Sequence, residues 1–136
     1  MPYFRLYYHF IWATRNREPL VTPAIEESLY GYVIGKIDHL QCFFHTIGGI
    51  ENHIHLVVSI PPTIAVAPFI KIIKGSSSHF VNEKLAPTNA FGWQHGYGAF
   101  TVDYIHLKTI VNYVQNQKNH HQQGTTIANL EPNWND

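Results

Sequence analysis

The stretch Glu51-Asn52-His53-Ile54-His55-Leu56-Val57-Val58-Ser59-Ile60-Pro61-Pro62 constrains the chain more than any other. Its apolar, β-branched run reads as a strand. Side chains alternate along a strand, so His53, His55 and Val57 share one face while Ile54, Leu56, Val58 and Ile60 share the other. One face looks like core and the other like a site. Two residues on that face stand about 6.7 Å apart at the backbone, close enough for two neutral imidazoles to meet one metal ion at roughly 2.0–2.2 Å.

The flanking segments alternate helix and strand. Tyr3 to Ala13, aromatic and β-branched, is expected to be a strand, and the charged Thr14 to Val21 a loop. Thr22-Pro23 reads as an N-cap followed by proline at the first helical position, with Glu26 and Glu27 near the positive end of the dipole. The helix runs to about Asp38, and Ile25, Leu29, Tyr32, Val33 and Ile37 give it one apolar face. Gln41 to Ile47 is expected to be a strand that turns at Gly48-Gly49 into the histidine strand.

Thr63 to Lys84 reads as a second helix in which Pro68 is tolerated only in a first turn. It carries Lys71 and Lys74, then Gly75-Ser76-Ser77-Ser78, a run that signals close packing or a backbone approach to phosphate. Ala86 to Asn89 is loop, and the aromatic, glycine-punctuated segment 91–102 ends in a strand. Asp103 then caps a last helix to about His121, a rod of about 27 Å, with Gly124 beyond its end and Thr125 to Asp136 as a mobile tail. The pattern predicts a single α+β domain over 1–136.

With one cysteine, Cys42, the chain has no internal disulfide framework and no cysteine pairs for zinc, which suits a reducing compartment. Thr14-Arg15-Asn16-Arg17 stands where a signal peptide would be cleaved, and Pro61, Pro62, Pro68 and Lys71 interrupt the longest apolar run short of the ~18–20 residues that span a bilayer. The expectation is a soluble, cytoplasmic protein without a membrane partner. The formal net charge of +0 rules against a broad basic surface, so nucleic-acid binding would use local patches such as Arg15, Arg17, Lys71 and Lys74.

His106, Ile110, Tyr113, Gln117 and His120 fall at three- and four-residue spacing on the last helix and form a stripe. A phenol that attacks phosphorus must lose a proton with an ordinary pKa of ~10, so it needs a base or a nearby cation. A metal held by His53, His55 and the side-chain carbonyl of Gln117 would polarise a scissile phosphate for in-line attack by Tyr113. The product, a phosphotyrosine ester, retains enough of the original bond energy for another hydroxyl to reverse the step and join new strands without ATP. Alone, each signal is ordinary: His-x-His pairs and helical tyrosines are commoner as structural features, and Gln117 says nothing by itself. Their order along the chain gives them weight.

Tyr8-His9 with Trp12 and Thr14, Asn52-His53-Ile54-His55-Leu56-Val57-Val58, Lys74-Gly75-Ser76-Ser77, Trp93-Gln94 with Gly96-Tyr97-Gly98-Ala99-Phe100, and Tyr113-Val114-Gln115-Asn116-Gln117 with His120-His121 together resemble the single-tyrosine HUH transposases of the IS200/IS605 type over nearly the whole chain. The resemblance implies a ferredoxin-like or RRM-like HUH fold, with a four- to five-stranded antiparallel sheet, helices packed on one side and a long C-terminal helix carrying the tyrosine. It also implies a homodimer that uses Mg²⁺ or Mn²⁺ and no nucleotide cofactor. Such proteins cut single-stranded DNA at hairpin-forming element ends through a 5′-phosphotyrosine, with Tyr113 as nucleophile and His53, His55 and Gln117 as metal ligands. Members often have Asp where Asn52 stands. A domesticated endonuclease that processes repeat hairpins would keep the same chemistry. A non-catalytic single-stranded DNA-binding module, stacking bases on Trp93, Tyr97 and Phe100, would not need Tyr113.

Overall fold

The histidine strand is two-faced, as its alternation predicts, and both faces are covered. The computed structural model describes residues 4–85, 90–127 and 130–131. Four strands, β1 (Tyr7–Ala13), β2 (Phe43–Ile50), β3 (His53–Ser59) and β4 (Gly98–Val102), form one antiparallel sheet in the order β2-β3-β1-β4. Two helices, α1 (Pro23–His39) and α2 (Val66–Phe80), precede α3 (Leu107–Gln115) and α4 (Gln117–Gln123).

On one face Ile54, Leu56, Val58 and Ile60, with Phe10 and Trp12 of β1, meet Leu29, Val33 and Ile37 of α1 and Phe69, Ile70 and Ile73 of α2. Burying each such side chain contributes about 1.5–3 kcal/mol before the entropy of ordering it is subtracted. Tyr32, on the rim of the apolar face of α1, stacks on Phe80 with ring centroids 4.5 Å apart. Ser77 is fully buried and accepts the indole N–H of Trp93 at 3.0 Å, so the Gly-Ser run serves packing there. The opposite face is smaller. Val57 packs with Tyr113 and Val114, which places α3 over β2 and β3. The two long helices therefore lie on one side of the sheet, and the tyrosine helix covers the histidine side.

Three expectations are corrected. Gly48 and Gly49 lie inside β2, paired with His55 and Ile54, and the hairpin turns at Glu51-Asn52 instead. Glycine is needed at Gly48 for close approach: a Cβ there would sit 2.2 Å from the carbonyl oxygen of Val114. The last helix is not one rod. It stops at Gln115, Asn116 departs from helical angles at φ −107° and ψ 25°, and α4 resumes at Gln117. Asn116 bonds back to the Asn112 carbonyl at 2.7 Å, the local competition with helical geometry that asparagine side chains offer. The second helix starts at Val66, later than expected, with Pro68 in its first turn, and gives way after Phe80 to a π-type turn over Val81–Leu85. Asp103 does cap the approach to α3, accepting the His106 N–H at 2.8 Å. Tyr3, the loop at 86–89 and tail residues 128–129 and 132–136 lie outside the described residues.

Gly48→Ala is expected to destabilise the fold by about 1–3 kcal/mol, the usual range for overpacking. Gly31→Ala, at a helical position with nothing within 4 Å of the new Cβ, is expected to be neutral or to stabilise by up to about 1 kcal/mol. Urea unfolding of the two variants beside the parent chain checks both signs.

Candidate active site

Strand β3 delivers His53 and His55 to one face, opposite Ala13 and Ile11 of β1 and Ile50 and Gly48 of β2. The small residues Gly48 and Ala13 leave height above the imidazoles. Into that height come Tyr113 from α3, Gln117 from the start of α4, and Glu131 from beyond α4. His53, His55, Tyr113 and Gln117 are all at least 95% buried.

Glu131 joins them. Its Oε1 lies 3.3 Å from His53 Nε2 and 3.1 Å from His55 Nε2, and its Oε2 accepts hydrogen bonds from the Tyr113 hydroxyl and from Gln117 Nε2, the latter at 3.1 Å. Gln117 Oε1 stands 3.2 Å from His53 Nε2 and 3.2 Å from His121 Nε2. The phenolic oxygen accepts the Ile127 N–H at 3.1 Å, and the Tyr113 ring stacks on His120 at 4.6 Å. Burial by itself would raise the Glu131 carboxyl, but hydrogen bonds from His53 and His55 and from Tyr113 hold it well below the usual carboxylate range. Burial, then the hydrogen bond to Glu131, pushes the Tyr113 phenol up, so it rests protonated. Burial pushes His55 and His121 down, which keeps both imidazoles neutral.

These groups suit a divalent cation. Ligand atoms of His53, His55 and Glu131 lie within 4.8 Å of one another, a cluster of two nitrogens and a carboxylate, with the Gln117 carbonyl beside it. The outer nitrogens are also engaged: Asn52 Oδ1 lies 2.8 Å from His53 Nδ1, and His9 Nε2 lies 2.8 Å from His55 Nδ1. With a cation bound, an N–H donated from His53 Nδ1 to the amide carbonyl would leave Nε2 with its lone pair for the ion. Asn52 thus offers an orienting acceptor without a charge.

The candidate DNA residues divide. Arg17 lines a cavity of about 580 Å³ beside the cluster, with Asn52, His121 and Lys118. Arg15 is turned to the loop, donating to the Ala90 carbonyl at 2.6 Å. Lys71 and Lys74 are on α2, across the sheet, where they line a cavity of about 360 Å³ with Trp93, Gln94 and Tyr97, and Lys74 donates to the Gln94 and Gly96 carbonyls at 2.7 Å. Sequence reasoning did not find Glu131. Its only mark in the sequence is a Leu-Glu pair, Leu130-Glu131, in an otherwise unpatterned segment, with Leu130 packed beside Tyr113 and Val114.

An antiparallel sheet with a His-hydrophobic-His strand facing a helical tyrosine is the arrangement that the fold and site together define. The chain belongs to the IS200-like transposase family, whose sequence model matches residues 2–117. It is 28% identical over 123 residues to the ISDra2 transposase TnpA of Deinococcus radiodurans, covering 84% of this chain and 85% of that one. It is 26% identical over 134 residues to the transposase for insertion sequence element IS200 of Salmonella typhimurium, covering 89% and 82%. The fold matches a crystal structure of a Deinococcus radiodurans transposase with a TM-score of 0.69 at 21% identity, covering 86% of this chain and 95% of that one. It also matches a REP-associated tyrosine transposase bound to a REP hairpin, with a TM-score of 0.66 at 16% identity, covering 93% and 76%. Among the described residues no helix is long and apolar enough to cross a membrane.

The buried histidines set a pH dependence. Burial, then the neighbouring His55, pushes His9 down from its ordinary 6.5 to about 3. Between those values the unfolded chain holds a proton that the folded chain lacks, so stability falls as pH drops below about 6.5, by about 1.4 kcal/mol per pH unit. Glu131, whose carboxyl is depressed, adds stability that is kept above its ordinary pKa and lost only below it. Urea unfolding in chelator is expected to show the protein about 2 kcal/mol less stable at pH 5 than at pH 7 from His9 alone; equal midpoints would contradict the assignment.

Proposed function

We propose that the chain cleaves and rejoins single-stranded DNA at the ends of an element, through a 5′-phosphotyrosine on Tyr113. The observation that carries this reading is the convergence of the Tyr113 hydroxyl, through one carboxylate, on the Nε2 atoms of His53 and His55. A divalent ion, Mg²⁺ or Mn²⁺, would be held by His53, His55, Glu131 and the Gln117 carbonyl, an extension of the His53, His55 and Gln117 set expected from sequence. When bound it would polarise the scissile phosphate and neutralise charge there.

The chain's own groups account for the proton and the nucleophile. Tyr113 Oη forms the new bond to phosphorus as the bond to the 3′ oxygen breaks, which leaves a free 3′ hydroxyl once that oxygen takes up a proton. The phenolic proton passes to Glu131 Oε2, which already accepts it as a hydrogen bond. The Ile127 N–H, 3.1 Å from the phenolic oxygen, steadies the charge that develops on it. Rejoining reverses these steps with a different 3′ hydroxyl as attacking group.

The hairpin in the REP-associated relative supports hairpin-forming ends as the substrate. Arg17, beside the cluster, is the first residue we assign to the DNA backbone; Arg15, Lys71 and Lys74 would act farther from the chemistry. A homodimer belongs to the same reading. Tyr113 over the histidines of its own chain is consistent with action in cis, and in a homodimer the same helix could instead complete the partner's site in trans.

Purified protein mixed with labelled single-stranded DNA from its element end is expected to give an adduct that survives denaturation, needs Mg²⁺ or Mn²⁺, and is absent in Tyr113→Phe. Cleavage that persists in Tyr113→Phe would mean water is the nucleophile and would sink the reading. Glu131→Gln is expected to slow cleavage about 10²–10⁴-fold, the range for a lost general base. Mixing His53→Ala with Tyr113→Phe separates the geometries: cis action predicts no recovery, whereas an adduct in the mixture would place the tyrosine in trans.

A further inference from the structure

His9 has no part in the chemistry above, yet it is fully buried beside it. It lies in β1, opposite Val57 of β3 and Phe100 of β4, and so reaches His55 diagonally across the β1–β3 ladder. The two rings stack at 5.1 Å and 25°, with His9 Nε2 2.8 Å from His55 Nδ1. The other nitrogen, His9 Nδ1, is buried with no hydrogen-bond partner among the described residues. A position that needed only packing would be met by an apolar ring, as at Phe10 beside it. An unpartnered ring nitrogen in a core is costly, and the contact with His55 is the compensation on view.

We infer that His9 is a positioning residue that fixes the tautomer of His55, so that His55 Nε2 offers its lone pair to a divalent cation. The inference rests on the metal reading given above. A ligating imidazole carries its proton on the nitrogen away from the ion, here Nδ1, and that N–H needs an acceptor. Asn52 Oδ1 stands 2.8 Å from His53 Nδ1 to serve it in this way, and His9 Nε2, 2.8 Å from His55 Nδ1, would serve His55 once a cation replaces the Glu131 hydrogen bond on His55 Nε2. For Nε2 of His9 to accept, its proton must sit on Nδ1, the nitrogen with no partner. In the cation-loaded protein the unpaired atom would be the counterpart of a correctly oriented ligand. The reverse arrangement, with His9 Nε2 donating, puts the His55 proton on Nε2, where the Glu131 carboxylate 3.1 Å away accepts it while no cation is bound; binding a cation at that nitrogen requires both imidazoles to exchange tautomers.

Mn²⁺ affinity by calorimetry tests this in the whole protein. His9→Phe keeps the ring and removes the acceptor, and is expected to weaken Mn²⁺ binding about 10–100-fold, as lost outer partners do. His9→Gln, whose side-chain carbonyl can accept the same N–H, is expected to restore affinity to within a few-fold. Long-range ¹H–¹⁵N spectra of the parent protein loaded with Mg²⁺ are expected to show Nδ1–H on both His55 and His9, a readout independent of whether the variants fold. Unchanged Mn²⁺ affinity in a folded His9→Phe, or a proton on His9 Nε2 in the loaded protein, would overturn the inference and leave the metal reading standing. Failure of the parent protein to take up Mn²⁺ or Mg²⁺ would remove both.

Discussion

The tyrosine helix can reach the histidines only because β2 carries no side chain at Gly48. The Val114 carbonyl occupies the place where a Cβ would stand, and Gly48 pairs directly with His55. One turn of α3 is thereby pressed against the sheet, with Val114 fully buried and Tyr113 nearly so. The placement of Tyr113 follows from backbone approach, not from a side-chain lock. Lys118, on α4, reinforces the same edge by donating to the Gly49 carbonyl at 3.2 Å and pairing with Glu26 of α1 at 2.5 Å.

Electrostatically the site is one anion among neutral donors. His9, His55 and His121 are kept uncharged largely by burial, while Glu131 stays ionised because His53, His55 and Tyr113 surround its oxygens with hydrogen bonds. Neutral imidazoles and an ionised carboxylate are the protonation states that a hard divalent cation requires. Burial, then the hydrogen bond to the same carboxylate, keeps the phenol protonated at rest.

Much of this architecture is written in short-range patterns. Alternation along 53–60 announces both the core face and the site face, Thr22-Pro23 announces the first helix, and the four-residue spacing of Tyr113 and Gln117 survives even though the helix breaks between them. What the sequence hides are contacts that depend on tertiary approach. A Gly-Gly pair ordinarily means a turn, and only the descent of α3 explains why it sits in a strand. Asn116 looks like any polar surface position until its bond to Asn112 is seen. Glu131 has no periodicity to betray it, because a segment that returns over the sheet obeys neither helical nor strand spacing. Basic residues mislead in the opposite way: Arg15 and Arg17 are separated only by Asn16, yet one donates to the Ala90 carbonyl and the other lines the cavity by Asn52.

The strand order has a kinetic meaning. The β2–β3 hairpin is local, but β1 must join β3 across more than forty residues, His9 contacting His55 at a separation of 46, and His55 meets Glu131 at a separation of 76. Loop closures of that kind come late and slow the search for the native state. A partly folded chain that has formed only its hairpin holds two histidines without Tyr113 or Glu131 beside them. The assembled cluster is therefore a property of the completed fold and not of the hairpin that carries its two histidines.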